Sequence, residues 1–364
     1  MTIVFDTIPA SIRKPGQYAE FNTGLAQRTL PSNANNVVFF APMAATGGSA
    51  LPYKPYLVFD SAQAVDLFGV SQASQMAKAA IVANPNVRLS VVALPATGGA
   101  YPTAFTSVFG GDYQVFAIAT NTSAALGQLR SHLEAISGPT ELRRAVGAAA
   151  FKGTVSDGTT MTTSSNSGRL SVAWLKASAS ATHELAAAYA AVIAGEEDPA
   201  RPLNTLALNG IAAPDVADRS SRTEQEVALN NGLSPLEVGP DGKVQIVRAI
   251  TTYTKNAAGT DDISLLDLTT IRSLDYIRKA CVDRISLRFP REKKSKRVKA
   301  AVRSELLDVL YKLEELEITE NVEENKALLL VEDNLQDPNR LDVVIPADVV
   351  NGLHVFASRI DLYL

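Results

Sequence analysis

Val244–Phe289 reads VQIVRAITTYTKNAAGTDDISLLDLTTIRSLDYIRKACVDRISLRF, and two hydrophobic periods within it set the fold. Val244, Ile246 and Ile250 recur at every second or fourth place in a β-branched run, the pattern of a half-buried strand. Asn256 to Asp262 is a polar loop with one glycine, and the carboxylate of Asp261 or Asp262 is suited to cap the free amides of a following helix. Leu268, Ile271, Leu274, Ile277, Cys281 and Ile285 then fall three or four apart, so they line one face of a helix from about Ser264 to Ile285. Arg272, Arg278, Lys279 and Arg284 occupy its other face.

These residues also carry a resemblance. The strand-end run Arg248–Tyr253 (RAITTY), the loop ending in aspartates and the helix start DLTTIRSLDYIR resemble one end of the contractile tail sheath proteins of Mu-like phages. Ile8–Asn22 (IPASIRKPGQYAEFN) resembles the start of the same family, so the likeness frames the chain from both ends. Between about Pro31 and Asn230 the likeness is one of element order, and the chain is short for the group, which implies a trimmed outer region.

Outward from that stretch, elements alternate. Short apolar runs of strand length occur at Val37–Phe40, Tyr56–Phe59, Val87–Leu94, Gln114–Ala119, Ala145–Phe151, Leu170–Trp174 and Thr205–Leu208. Helical patterns at Ser61–Phe68, Ser71–Ala83, Ser123–Ile136, Thr182–Ala194 and Thr223–Asn230 separate them. Such alternation predicts an α/β layer structure with a partly parallel sheet, and Gly153–Gly168, rich in Ser, Thr, Gly and Asn, reads as an exposed loop. The expected organisation is multi-domain α/β (α+β): an extended arm over residues 1–30, an outer α/β domain over 31–235, a tube-side domain with two helices and a small sheet over 236–352, and a C-terminal strand arm over 353–364.

The termini are distinctive. Ile3, Phe5, Ile8, Ile12, Tyr18 and Phe21 are spread among Pro9, Pro15 and Gly16, which rule out a long helix and leave an extended arm with apolar teeth. At the other end LHVFASRIDLYL, Leu353–Leu364, is apolar and free of Pro and Gly, so it either docks into a sheet or stands as an edge prone to association.

Charge is uneven after the central helix. Arg284, Arg288, Arg291, Lys293, Lys294, Lys296, Arg297, Lys299 and Arg303 face one acid, Glu292, and a run of acids follows from Glu305 to Glu324. The stripe Val302, Leu306, Val309, Leu310 and Leu313 predicts a second amphipathic helix from about Ser295 to Leu316, cationic at its start and acidic at its end. Both signs oppose the helix dipole at a cost of roughly a few tenths of a kcal/mol each, so an external partner of opposite sign is the expected reason.

Composition narrows the function classes. With 46% hydrophobic and 20% charged residues the 364-residue chain is ordinary globular material, and a net charge of −4 argues against a general nucleic-acid binder. The sequence lacks a secretory signal, and its longest apolar segment, Leu185–Ala194, is about half of a bilayer span, so the chain reads as soluble and cytoplasmic. Cys281, the sole cysteine, reads as a buried structural thiol. His132, His183 and His354 stand apart, and His183–Glu184 begins a zinc-protease pattern that Ala187 breaks. Gly239–Lys243 echoes a phosphate loop with the wrong spacing, and no dinucleotide fingerprint or nucleophile elbow occurs. No catalytic, cofactor or metal residue is expected.

The resemblance implies the rest. It implies a helical homopolymer of six-fold rings around a tail tube, bounded by baseplate and tail terminator proteins, that contracts to drive the tube through a bacterial envelope without a cofactor, direct nucleic-acid contact or membrane insertion. The matching inter-subunit arms carry Ile3, Phe5, Ile8, Tyr18 and Phe21 at one end and Val355, Phe356, Ile360, Leu362 and Leu364 at the other. Tube contact is expected on Arg272, Arg278, Lys279, Arg284, Arg288, Arg291, Lys293, Lys294, Lys296, Arg297 and Lys299. The site of action is then a virion tail assembled in the host cytoplasm. The rival from another class is an oligomeric α/β enzyme or nucleotide-binding protein, and a non-contracting tail scaffold is a third reading.

Overall fold

The structure, a computed structural model, describes residues 30–363. The expected arm residues Ile3, Phe5, Ile8, Tyr18 and Phe21, and Leu364 at the other end, lie outside the described residues. The chain divides into two units, residues 1–32 and 33–364, and everything below concerns the second.

In chain order the elements are β1 Asn36–Pro42, β2 Pro55–Val58, α1 Ser61–Phe68, α2 Gln72–Ala83, β3 Arg88–Leu94, α3 Tyr101–Ser107, β4 Val115–Ile118, α4 Ser123–Ile136, β5 Val146–Phe151, α5 Val155–Ser165, β6 Leu170–Trp174, α6 Thr182–Gly195, α7 Arg222–Asn230, β7 Ser234–Val238, β8 Val244–Ile246, α8 Leu268–Arg288, α9 Lys296–Glu315, α10 Val322–Asn325, β9 Leu330–Asp333 and β10 Leu341–Val344. The first eight strands form one sheet in the order β2-β3-β1-β4-β5-β6-β7-β8. Pairings from β3 to β7 are parallel, and the outermost strands β2 and β8 run antiparallel to their neighbours.

Helices cover both faces, and the period-2 side-chain alternation sorts each strand between two cores. Val37, Phe39 and Ala41 of β1 join the core under α1, α2 and α6, while Val38 and Phe40 join the core under α3, α4, α5 and α7. On the first face α6 is wedged between the sheet and α2, and every residue from Leu185 to Ala194 is buried. Its alanines permit that close approach on all sides, which is why the segment looks membrane-like in composition. No described helix is long and apolar enough to cross a membrane. On the second face, β5 runs close beneath α4 at Gly147, where a Cβ would sit 2.7 Å from Leu133 Cδ1 and 3.1 Å from Leu129 Cδ2.

Three expectations need correction, and one helix carries no periodic signal. The Ser/Thr-rich stretch expected as an exposed loop at 153–168 contains α5, whose Gly158, Met161, Thr162 and Ser165 are buried. Its hydroxyls turn back to carbonyls three or four residues earlier, and Thr162 Oγ1 donates to Asn231 O at 2.7 Å, so polar side chains are satisfied inside a packed helix. The Thr205–Leu208 run is reduced to a single bridge from Ala207 to Gln245. The expected domain boundary between 235 and 236 falls inside β7, because the sheet continues through a β7–β8 hairpin to Ile246. Helix α3, started by Ala100 with Pro102 in its first turn, went unread in the sequence.

His132 sits on α4 among Phe105, Phe109 and Phe116, stacked on Phe105 at 4.9 Å between centroids. Burial pulls its pKa from 6.5 down to about 4. The fold therefore favours the neutral ring, and this contribution is complete above pH 6.5 and is lost as pH falls through about 4. His132→Phe should lose less thermal stability than the native chain between pH 7 and pH 4, as measured by melting temperature across that range; parallel losses would contradict the burial argument.

Candidate subunit interface

Beyond the sheet lies a helical hairpin, α8 and α9, followed by the small antiparallel sheet β9–β10. The hairpin is fastened to the sheet through charge. Asp275 on α8, with its side chain 5% exposed, accepts from Arg169 at 2.6 and 2.9 Å and from Arg278 at 2.8 Å. Arg278 also donates to Ser137 O at the end of α4. At the helix start Arg248 grips both oxygens of Asp267 at 2.8 and 2.7 Å. Asp267, not Asp261 or Asp262, precedes the helix, and its carboxylate is committed to Arg248 rather than to the helix amides. Asp262 instead accepts from Tyr253 Oη at 2.7 Å, and α8 begins at Leu268, directly after Asp267, whose backbone is held extended in an antiparallel bridge to Ile250.

The two helices are joined by an ion ladder. Arg284, with its side chain 3% exposed, donates to Glu305 at 3.1 Å and to Asp308 at 2.6 Å; Arg288 donates to Glu305 at 3.2 and 3.0 Å, and Lys312 reaches Asp308 at 3.2 Å. Burial alone would raise the Glu305 and Asp308 pKa values, but the bonds from Arg288, Arg284 and Lys312 pull both below the usual carboxylate range. Lys294 and Lys299 share Asp333 on β9, at 3.0 and 3.2 Å. Arg303 donates to Leu329 O and Lys326 O. Much of the charge expected to await an external partner is thus spent within the hairpin.

The eleven cations expected at a tube separate accordingly. Arg272 is buried and donates to Glu196 O, with its pKa lowered from 12.5 to about 10 by burial. Arg284 is buried in the ladder, so neither guanidinium is at the surface, which corrects that expectation. Arg278, Arg288, Lys294 and Lys299 serve the pairs just given, and Lys279 pairs with Asp283 at 2.7 Å. Arg297 lies 3.4 Å from Glu292. Arg291, Lys293 and Lys296 are exposed with no acidic partner among the described residues. Cys281 is buried and its thiol is pushed up to about 12, as a structural thiol should be.

The other expected surface is the C-terminal tail. Residues 351–363 form no strand, and Val355, Phe356, Ile360, Leu362 and Tyr363 stand in solvent, Phe356 at 84% and Ile360 at 93% exposure. Among the described residues no backbone group from Val355 to Tyr363 is hydrogen-bonded, and the only bond there links Arg359 to Asp361. Leu328, Leu330 and Val344, on or beside the two-stranded sheet, are also exposed. Among the described residues no group of three His, Cys, Asp or Glu side chains could hold a metal.

A rigid α/β sandwich carrying a charge-locked helix pair and an unpaired apolar tail defines a protein built for association. Residues 95–252 match the family described as "Phage tail sheath protein central domain" and residues 260–362 match "Phage tail sheath C-terminal domain". The chain belongs to the phage tail sheath family. It is 34% identical over 192 residues to the Mu-like prophage FluMu tail sheath protein of Haemophilus influenzae, a match taking in 49% of this chain and 39% of that protein. Its fold is similar to a chain in the cryo-EM structure of the anti-feeding prophage baseplate (TM-score 0.66, 14% identity, 97% of this chain and 100% of that one). It is also similar to the crystal structure of a sheath tail protein from Desulfitobacterium hafniense (TM-score 0.62, 13% identity, 87% and 93%).

Removing Asp275 would leave the Arg169 and Arg278 guanidinia facing each other without their shared carboxylate. Asp275→Ala should therefore cost about 3–5 kcal/mol in denaturant unfolding; a loss under 1 kcal/mol would mean that the hairpin is fastened elsewhere.

Proposed function

We propose that this chain is the structural subunit of a contractile tail sheath, polymerising as six-fold rings around a tail tube and contracting to drive the tube through a bacterial envelope. The observation that carries this reading is the tail from Leu353 to Tyr363, whose apolar side chains and backbone groups have no partner within the described chain. Strand addition to a neighbouring copy satisfies both at once, with backbone bonds giving strength and alternate side chains giving register. Burying Val355, Phe356, Ile360 and Leu362 is worth on the order of 1.5–3 kcal/mol each before entropic costs, enough for a link that persists through a large rearrangement. The N-terminal arm, with Ile3, Phe5, Ile8, Tyr18 and Phe21, is assigned the same role from its sequence.

The exposed cations suit a weaker grip. Surface ion pairs contribute roughly 0–1 kcal/mol apiece, so a tube held through Arg291, Lys293, Lys296 and Arg297 is released subunit by subunit yet held firmly by the array. In this reading the hairpin faces the tube, the α/β sandwich faces outward, and neighbouring sandwiches meet after contraction. Energy is stored during assembly, in the host cytoplasm, and no nucleotide or metal is consumed. The outer partners are a baseplate below and a terminator above, in a virion tail or a related tail-like particle.

Deleting Leu353–Leu364 should leave a folded subunit that no longer forms striated cylinders in electron micrographs, and long native-like cylinders from the truncated chain would refute the strand exchange. Reversing Arg291, Lys293, Lys296 and Arg297 to Glu should impair assembly on isolated tubes while sparing tube-free polymers. Unchanged tube-guided assembly would move the tube contact away from this band.

A further inference from the structure

The chain after β10 is tied down as far as Val350. Glu320 donates its N–H to Asp348 O at 2.9 Å, Val349 bridges Thr319, and Val350 donates to Ile318 O at 3.3 Å. Two more residues then sink into the body while their neighbours face solvent: Gly352 and His354 are half-buried, whereas Leu353, Val355 and every described residue beyond are exposed.

The notch that receives them is built from distant parts of the chain. A Cβ on Gly352 would lie 2.8 Å from Pro202 Cγ and 2.9 Å from His354 Nε2, so a larger residue there would have to displace the His354 ring or Pro202. Asn204 Nδ2 lies 3.0 Å from His354 Nδ1. On the ring's other side Nε2 faces Asp267 Oδ1 at 3.5 Å, a loose contact to the carboxylate that Arg248 already grips. Burial and then Arg248 lower the His354 pKa, with Asp267 opposing them. A neutral ring fits the geometry, with the Asn204 amide donating to the Nδ1 lone pair, while buried Nε2 makes no hydrogen bond and only approaches Asp267. The walls are tied to the body, because Thr205 donates its N–H to Ile246 O on β8 and Asp267 immediately precedes α8.

Resting on the strand-exchange reading above, we propose that Gly352 and His354 form the pivot of the C-terminal arm, and that the Asn204–His354 hydrogen bond sets the direction in which residues 355–364 leave for a neighbouring copy. His354 is a positioning residue: it acts through the arm it aims. Ten residues beyond the pivot reach at most about 35 Å, so the receiving sheet edge lies within that distance of His354. Releasing the root back to Val350 lengthens the free tether from ten to fourteen residues. By the −3/2 power law that alone lowers the effective concentration less than about twofold, so any larger effect reports lost direction.

The test is the protein concentration at which the full-length chain begins to pellet as polymer, read for His354→Ala, His354→Gln, Asn204→Ala and the double Ala variant, with melting temperature as the folding control. Both single Ala variants should raise the threshold at least threefold at an unchanged melting temperature. The double variant should be no worse than either single, because one bond is lost in all three. His354→Gln, which offers a carbonyl to the same amide, should restore most of the native threshold. A His354→Ala threshold within twofold of native, or effects that multiply in the double variant, would overturn the pivot. These outcomes are separable from a failure of strand exchange itself: if the chain lacking Leu353–Leu364 still polymerises, the exchange is wrong and the pivot falls with it.

Discussion

A polypeptide segment that leaves its amides, carbonyls and apolar side chains in water gains nothing from being ordered there, and among the described residues, 355–363 join no sheet. The large sheet shows the contrast. Its eight strands bond to one another, its two outermost strands turn antiparallel, and helices cover both faces. The sandwich is self-sufficient and the tail is not. A packed body with an unpaired apolar segment is a unit that strand addition, as proposed above, would join into a lattice, and the chain belongs to the phage tail sheath family.

Between body and tail lies the charge-locked hairpin. Asp275 holds α8 to the sheet, and the ladder of Arg284, Arg288, Glu305, Asp308 and Lys312 holds α9 to α8. Removing one partner of either leaves its buried counter-charge uncompensated, which is strongly destabilising. Asp333 then couples the small sheet to α9 through Lys294 and Lys299. Arg291 and Lys293 in the turn between the helices, and Lys296 at the start of α9, are left exposed without an acidic partner among the described residues.

Much of this was legible in the sequence because the signals were periodic. The apolar triads of α8 and α9, the short β-branched runs of β1, β3 and β6, and the breaks at the glycines located the layers. What escaped had no period. Helix α5 is written in Ser, Thr and Gly, and its hydroxyls are satisfied locally in a way that composition does not announce. In the sequence Asp261 and Asp262 look like caps because an aspartate before an apolar run suits that role, whereas the residue that precedes α8, Asp267, is claimed by Arg248, nineteen residues earlier. The same long-range pairing explains the misplaced guanidinia: helical phase sets Arg272 and Arg284 opposite the apolar stripe, but Glu196 O, Glu305 and Asp308 come from other elements and draw them inside. The pivot at Gly352 and His354 was invisible for that reason too, since Pro202, Asn204 and Asp267 meet it only in the folded chain.

The central claim is that the C-terminal segment acquires its hydrogen bonds only from another copy. Hydrogen–deuterium exchange of the amides from Val355 to Tyr363, read in dispersed subunits and again in assembled polymer, addresses it directly. The account predicts exchange at the rate of free chain in the dispersed state and strong protection in the polymer. Amides that are already protected in isolated subunits, or that stay unprotected in the polymer, would contradict it.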